Sequence, residues 1–163
     1  MTKGEIHYTV NDGTCVIRME GRLTHTLGVA FGLFIERLFN DESVNAVIVD
    51  LSLTDYMDST MLGLLGKLAN RAQHARQQKV TLTAPSDNVQ QLLSHIGFDD
   101  VFIIENDWCP LATNTQALPP AEASRDTQTR VVWNAHKLLM SLNETNAAQF
   151  KNVVELLDVE IRE

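Results

Sequence analysis

The sequence has few of the features that mark membrane-spanning, secreted or nucleic-acid-binding proteins. No stretch reaches the roughly 18–20 apolar residues of a membrane span, and the amino terminus carries an acid where a signal peptide is apolar. The net charge is −8, and the 13 basic residues form no run that could follow a phosphate backbone. We therefore expect a cytoplasmic protein that binds neither nucleic acid nor a membrane.

Metal and disulfide chemistry have equally little support in the sequence. Cys15 and Cys109 are far apart and form no CxxC spacing. The five histidines are scattered, with no HxH or HxxxH pair among them: His7, His25, His74, His95 and His136. We expect reduced cysteines, no metal site and no cofactor.

What the chain does contain is an alternation of strand-like and helix-like segments over residues 4–106. Asn11-Asp12-Gly13 has the composition of a hairpin turn between two strands. Later β-branched runs, such as residues 46–51, alternate with apolar residues at helical spacing. The order β-β-α-β-α-β-α-β predicts an α/β domain whose helices pack on a mixed sheet. Its predicted core includes Phe31, Phe34, Leu65 and Leu68.

The rest of the chain has a different composition. Residues 107–129 are rich in proline, alanine and small polar residues without periodicity, which predicts a linker. Residues 130–163 have apolar residues at helical spacing, interrupted near Asn143, which predicts a hairpin of two helices. A pair this small buries no core of its own, so we expect it to dock on the α/β domain, to form a homodimer or to bind a partner.

The most informative segment is Asp58-Ser59-Thr60-Met61-Leu62-Gly63, between a predicted strand and the second predicted helix. Helix starts in α/β domains present side chains and free backbone N–H groups. Asp58 or Ser59 can cap the helix, and a hydroxyl there is expected to be exposed enough for a kinase. By its local pattern alone, the triplet is first of all a helix cap.

Three segments together resemble the STAS family, the sulfate-transporter and anti-sigma-factor-antagonist domain. They are residues 19–23 (MEGRL), residues 47–52 (VIVDLS) and residues 56–63 (YMDSTMLG). The resemblance covers residues 4–106 and implies the STAS fold. In partner-switching members the first hydroxyl residue after the Asp accepts a phosphate, which implies Ser59 here, with Thr60 as the alternative.

The resemblance also implies a function, that of a bacterial anti-sigma factor antagonist. Such a domain binds an anti-sigma factor or a HATPase-type serine kinase when unphosphorylated, and phosphate at Ser59 ends the binding. A PP2C-type phosphatase removes the phosphate. The implied partner-binding residues are Asp58, Ser59, Thr60, Met61, Leu62, Thr24 and His25, with Thr54 and Asp55 in a neighbouring loop.

Two residues depart from the family pattern: Met61 stands where the family usually has glycine, and Thr24 where it often has an acid. Both differences predict a changed choice of partner. One alternative is a STAS module that does not switch, such as a scaffold in a lipid-transport or signalling complex. Another is a hydrolase that uses Ser59, Asp58 and His25, but the G-x-S-x-G motif is absent and we expect no enzyme activity.

Overall fold

A six-stranded mixed sheet and five α-helices make up the computed structural model, which describes residues 2–83, 85–108, 110 and 112–162. The strands are β1 (Glu5–Asn11), β2 (Thr14–Leu23), β3 (Ala46–Met57), β4 (Thr81–Thr83), β5 (Ile103–Glu105) and β6 (Gln116–Ala117). The helices are α1 (Gly28–Asn40), α2 (Ser59–Arg76), α3 (Asp87–His95), α4 (Arg125–Leu142) and α5 (Glu144–Arg162). No helix in these described ranges is long and apolar enough to cross a membrane.

The sheet has the order β5-β4-β3-β2-β1-β6, with β2 to β5 parallel and β1 antiparallel to both of its neighbours. The β1–β2 turn contains Asp12 and Gly13, which both have positive φ (50° and 80°). This is the geometry that matches a two-residue turn to the twist of a hairpin. The predicted α/β class, the mixed sheet and the helical hairpin at the carboxyl terminus are confirmed.

Strand β3 is longer than the predicted 46–51, because its pairing with β2 continues to Leu23 opposite Met57. Gly21 allows the continuation: it has a φ of 78°, and a Cβ there would lie 2.7 Å from the carbonyl oxygens of Thr2 and Lys3. The expectation that Thr54 lies in an exposed loop is wrong. Thr54 is 2% exposed within β3 and donates to the Met19 carbonyl at 2.7 Å.

The predicted linker contains a strand that its composition did not indicate. Gln116 and Ala117 form β6 on the edge strand β1, and the Leu118 N–H donates to the Ile6 carbonyl at 2.8 Å. A strand of two residues has too short a pattern to be detected as periodic. Helix α4 begins at Arg125, before the predicted 130, with Ser124 as its capping residue.

Of the two cysteines, the structure describes Cys15. Cys15 is a free thiol buried in the core, and desolvation by burial raises its pKa to about 12. A thiol in that state is a poor nucleophile at neutral pH. Cys109 lies outside the described residues.

The carboxyl-terminal hairpin docks on the α/β domain. Leu139 of α4 is fully buried, and Phe150 of α5 belongs to the same core cluster as the sheet. Asn146, also fully buried, donates through Nδ2 to the Ile96 carbonyl at 2.9 Å. Of the three fates expected for the hairpin, docking is the one this structure shows.

The core of the domain can be tested with a matched pair of leucines. We expect Leu65→Ala to lower the free energy of unfolding by about 2–5 kcal/mol, because Leu65 is fully buried and its truncation leaves a cavity. Leu33→Ala, at a side chain 50% exposed, should change it by no more than about 0.5 kcal/mol. Urea unfolding followed by circular dichroism measures both, and equal losses would contradict the described packing.

Candidate functional site

The site is built at the end of the β2–β3 pair, where α2 begins. Asp58 is the N-cap of α2: its Oδ1 accepts from the Met61 N–H at 3.0 Å, and its Oδ2 accepts from the His25 N–H at 2.7 Å. The Asp58 N–H in turn donates to the Leu23 carbonyl at 3.0 Å. One carboxylate therefore fixes the helix start to the loop that follows β2.

Ser59, the first residue of α2, is half-buried and has a side-chain partner from the distant hairpin. Its Oγ lies 2.8 Å from Nε2 of His136 on α4, and Nδ1 of His136 lies 2.7 Å from the Val132 carbonyl oxygen. A carbonyl only accepts, so Nδ1 carries the proton and the Nε2 of a neutral imidazole accepts from the Ser59 hydroxyl. The sequence predicts a hydroxyl exposed enough for a kinase; in the structure Ser59 is half-buried and in contact with α4, and its accessibility to a kinase stays a prediction.

His136 is the site residue that the sequence did not reveal. It is 5% exposed and packs against the edge of the Phe150 ring, with ring centres 5.5 Å apart. It lies 77 positions from Ser59, and no spacing rule joins residues so far apart. One signal was available: His136 stands next to Ala135, which lies on the buried face of the predicted hairpin.

The predicted partner-binding residues separate into two groups. Thr24, His25, Asp58 and Ser59 lie together around the start of α2, with Nδ1 of His25 3.5 Å from Oδ2 of Asp58. The other three are 4% exposed or less and contribute no surface in this arrangement: Thr60, Met61 and Leu62. A role for either group in partner binding stays a prediction.

The hydrolase hypothesis does not match the geometry of the described residues. Ser59 is hydrogen-bonded to His136 and not to the predicted His25. The Asp58 carboxylate accepts from two backbone N–H groups, and His136 is oriented by the Val132 carbonyl. The predicted triad of Ser59, Asp58 and His25 is not assembled.

One cluster of potential metal ligands is formed by the β1–β2 register. Nε2 of His7 lies 3.1 Å from Oε2 of Glu5 and 3.3 Å from Oε2 of Glu20. Nε of Arg18 lies 3.4 Å from the same Glu20 oxygen, and its positive charge disfavours a cation there. These contacts account for the cluster as a group of polar surface contacts, and we assign it no metal.

Comparison with known proteins agrees with this architecture. The sequence profile of the STAS domain matches residues 5–114, so the chain belongs to the STAS domain family, as its resemblance implied. No curated protein sequence matches significantly.

Solved structures of anti-sigma factor antagonists share the fold at low identity. Unphosphorylated SpoIIAA superposes with a TM-score of 0.53 at 19% identity, over 64% of this chain and 89% of its own. The phosphorylated form of SpoIIAA from Bacillus gives 0.52 at 19%, over 63% and 92%. A protein of Thermotoga maritima assigned as an anti-sigma factor antagonist, tm1081, gives 0.55 at 19%, over 60% and 83%.

The double use of the Asp58 carboxylate can be tested against a second N-cap, Ser86 of α3, which accepts from the Val89 N–H. We expect Asp58→Ala and Ser86→Ala each to lower the free energy of unfolding by about 0.5–2 kcal/mol. Only Asp58→Ala also removes the acceptor of the His25 N–H, so only this variant should speed hydrogen exchange at the His25 amide. Equal exchange at His25 in both variants would contradict the bridge between loop and helix.

Proposed function

We propose that the protein is a cytoplasmic anti-sigma factor antagonist that works by partner switching, with Ser59 as its phosphoacceptor. The observation that carries the proposal is the position of Ser59. It is the first residue of α2, directly after the capping Asp58, in a chain of the STAS family. The fold likeness to SpoIIAA, a protein solved both without and with phosphate, supports the same reading.

Burial favours Ser59 over Thr60 as the acceptor. Thr60 is 3% exposed, and its methyl group lies 3.6 Å from the point where a Cβ on Gly28 would stand. Ser59 is half-buried and keeps an edge toward solvent. Phosphorylation of Thr60 would require the first turn of α2 to leave the core, whereas phosphorylation of Ser59 does not.

A phosphate on Ser59 acts on binding more than on folding. It adds a charge of about −1.5 to −2 at the amino terminus of α2, where the helix dipole stabilises an anion. In an interface the same dianion must lose its hydration, and this desolvation lowers the affinity about a hundredfold or more. The unphosphorylated form therefore binds the partner, and the phosphorylated form releases it.

The partner that this mechanism requires is an anti-sigma factor or a HATPase-type serine kinase, with a PP2C-type phosphatase to restore the hydroxyl. The contact surface begins with Thr24, His25, Asp58 and Ser59, the predicted residues that lie around the start of α2. In this role the protein is a substrate of the kinase and has no catalytic activity of its own.

One observation favours a second candidate, a STAS module that binds without switching. The Ser59 hydroxyl already has a structural use, since it donates to His136. In that case the role of Ser59 is to link α2 to α4 through its hydrogen bond with His136, and phosphorylation of Ser59 does not regulate binding.

The two candidates differ in the effect of charge at position 59. The full-length protein recovered from its native cells is mapped for phosphate by intact mass and peptide sequencing, and its bound proteins are identified. We expect phosphate at Ser59, and an anti-sigma factor or serine kinase that binds Ser59→Ala but binds Ser59→Asp about a hundredfold more weakly. Ser94→Asp, at an exposed serine of α3, is the matched charge control and should bind normally.

The opposite result is equally clear. Protein without phosphate at Ser59 under several growth conditions, with Ser59→Ala and Ser59→Asp binding alike, would reject the switch and leave the fixed module.

A further inference from the structure

Helix α4 covers the stripe of α2 that begins with Ser59. Ser59, Gly63 and Gly66 follow one another at steps of four and three and so lie on one face of the helix. The same three positions contact α4 in order: Ser59 meets His136, Gly63 meets the backbone of Ala135, and Gly66 meets the side chain of Leu138. The face of α2 that carries the proposed acceptor is thus occupied by the chain's own hairpin.

The close packing of α2 against α4 depends on glycine at positions 63 and 66, where a side chain would overlap α4. A Cβ on Gly63 would overlap the carbonyl group of Ala135, and one on Gly66 would overlap a methyl group of Leu138. The contact at Gly63 limits the distance between α2 and α4 more strictly than the contact at Gly66. The Ala135 carbonyl is backbone and cannot rotate away, whereas the Leu138 side chain can. This contact leaves no room for any other protein between α2 and α4.

Helix α4 also restricts access to Oγ of Ser59 itself, through the contact with His136. A kinase must place the terminal phosphoryl group of a nucleoside triphosphate against Oγ. The Oγ–P bond then forms, the bond to the nucleoside diphosphate breaks and the hydroxyl proton leaves. In this structure Nε2 of His136 lies 2.8 Å from Oγ, so α4 occupies one side of the oxygen that a kinase must approach. The docked hairpin and an approaching kinase therefore exclude each other.

The contact between the hairpin and the domain has a cleft along one edge, and the segment before α4 is long enough for the hairpin to move away. A cleft of about 370 Å³ lies between α1, α2 and α4, lined by Gly32, Lys67 and Asn134 among others, so packing is incomplete along one edge of the interface. The chain stays attached at β6 and Leu118, and residues 119–124 can span about 20 Å. That reach exceeds the roughly 10–12 Å diameter of a helix.

We infer that the α4–α5 hairpin is an internal competitor of the switch partner, held over Ser59 by His136, and that kinase and partner reach Ser59 only when the hairpin has swung away. The shielding of Ser59 by the hairpin can be measured on the isolated protein, without a kinase or a partner. Its consequence for kinase and partner rests on the proposed function, and the two are tested separately.

The shielding is tested without any partner by thiol labelling at position 59. Ser59→Cys is made together with Cys109→Ser, and Cys109→Ser alone supplies the background, because Cys15 is buried in the folded protein but reacts in urea. Labelling by Ellman's reagent should be at least tenfold slower than in the same protein unfolded in urea. Adding Gly63→Ala should raise the folded rate by roughly tenfold or more, because its Cβ pushes α4 off α2.

Gly32→Ala is the matched control for labelling, since its Cβ would meet only a methyl group of Leu64, at 3.9 Å. It should leave the rate unchanged. The shielding is overturned if the thiol introduced by Ser59→Cys reacts as fast in the folded parent as in urea. It is also overturned if Gly63→Ala, shown to be folded by circular dichroism, labels no faster than Gly32→Ala.

A disulfide staple tests the competition and does not depend on whether Gly63→Ala folds. A Cβ on Gly28 of α1 would lie 3.2 Å from Cγ1 of Val131 on α4, so these two positions are near enough to be tried as a disulfide pair. Gly28→Cys with Val131→Cys and Cys109→Ser, oxidised, locks the hairpin down. With the partner recovered from native cells, we expect the oxidised protein to lose partner binding and Ser59 phosphorylation by tenfold or more, and dithiothreitol to restore both.

The outcomes separate the two claims. If the oxidised staple binds the partner and is phosphorylated as well as the reduced form, the competition is wrong while partner switching stands. If Ser59→Asp and Ser59→Ala bind alike, the proposed switch fails, and the labelling rates alone decide whether the hairpin shields Ser59.

Discussion

The long pairing of β2 with β3 is the constraint from which the site follows. It continues to Leu23 opposite Met57, so the loop that begins at Thr24 and the helix that begins at Ser59 start side by side. Asp58 closes this corner by accepting from both the loop and the helix. Without the last residue pairs of these strands, the carboxylate would have only one of its two partners, and Ser59 would have no fixed position on the surface.

The α4–α5 hairpin packs over the start of α2 and covers part of Ser59. Its attachment combines apolar burial at Leu139 and Phe150 with polar contacts at Ser59 and Ile96. Polar contacts at an interface can be exchanged for water at small net cost, whereas buried apolar side chains cannot. The Ser59–His136 hydrogen bond at the start of α2 therefore contributes less to the attachment than the apolar contacts at Leu139 and Phe150.

Local patterns predicted the elements of the α/β domain, because alternation, helical spacing and the Asp12-Gly13 turn are each determined within a few neighbouring residues. They also predicted Asp58 as one of two possible caps of α2. They missed β6, which is too short to show a period, and they missed His136, whose relation to Ser59 exists only after α4 has docked. The hairpin was predicted as a unit, but its position depends on Gly63 and Gly66, whose meaning appears only when a second helix lies against them.

A single hydroxyl proton connects the docked hairpin with the proposed switch. In the docked form the Ser59 hydroxyl donates this proton to Nε2 of His136, whose other nitrogen is committed to the Val132 carbonyl. A phosphorylated Ser59 has no hydroxyl proton to donate, and it places a charge of about −1.5 to −2 at this contact. In the proposed switch, docking of the hairpin, binding of a partner and phosphorylation are competing uses of Ser59, and each of them lowers the population of the other two.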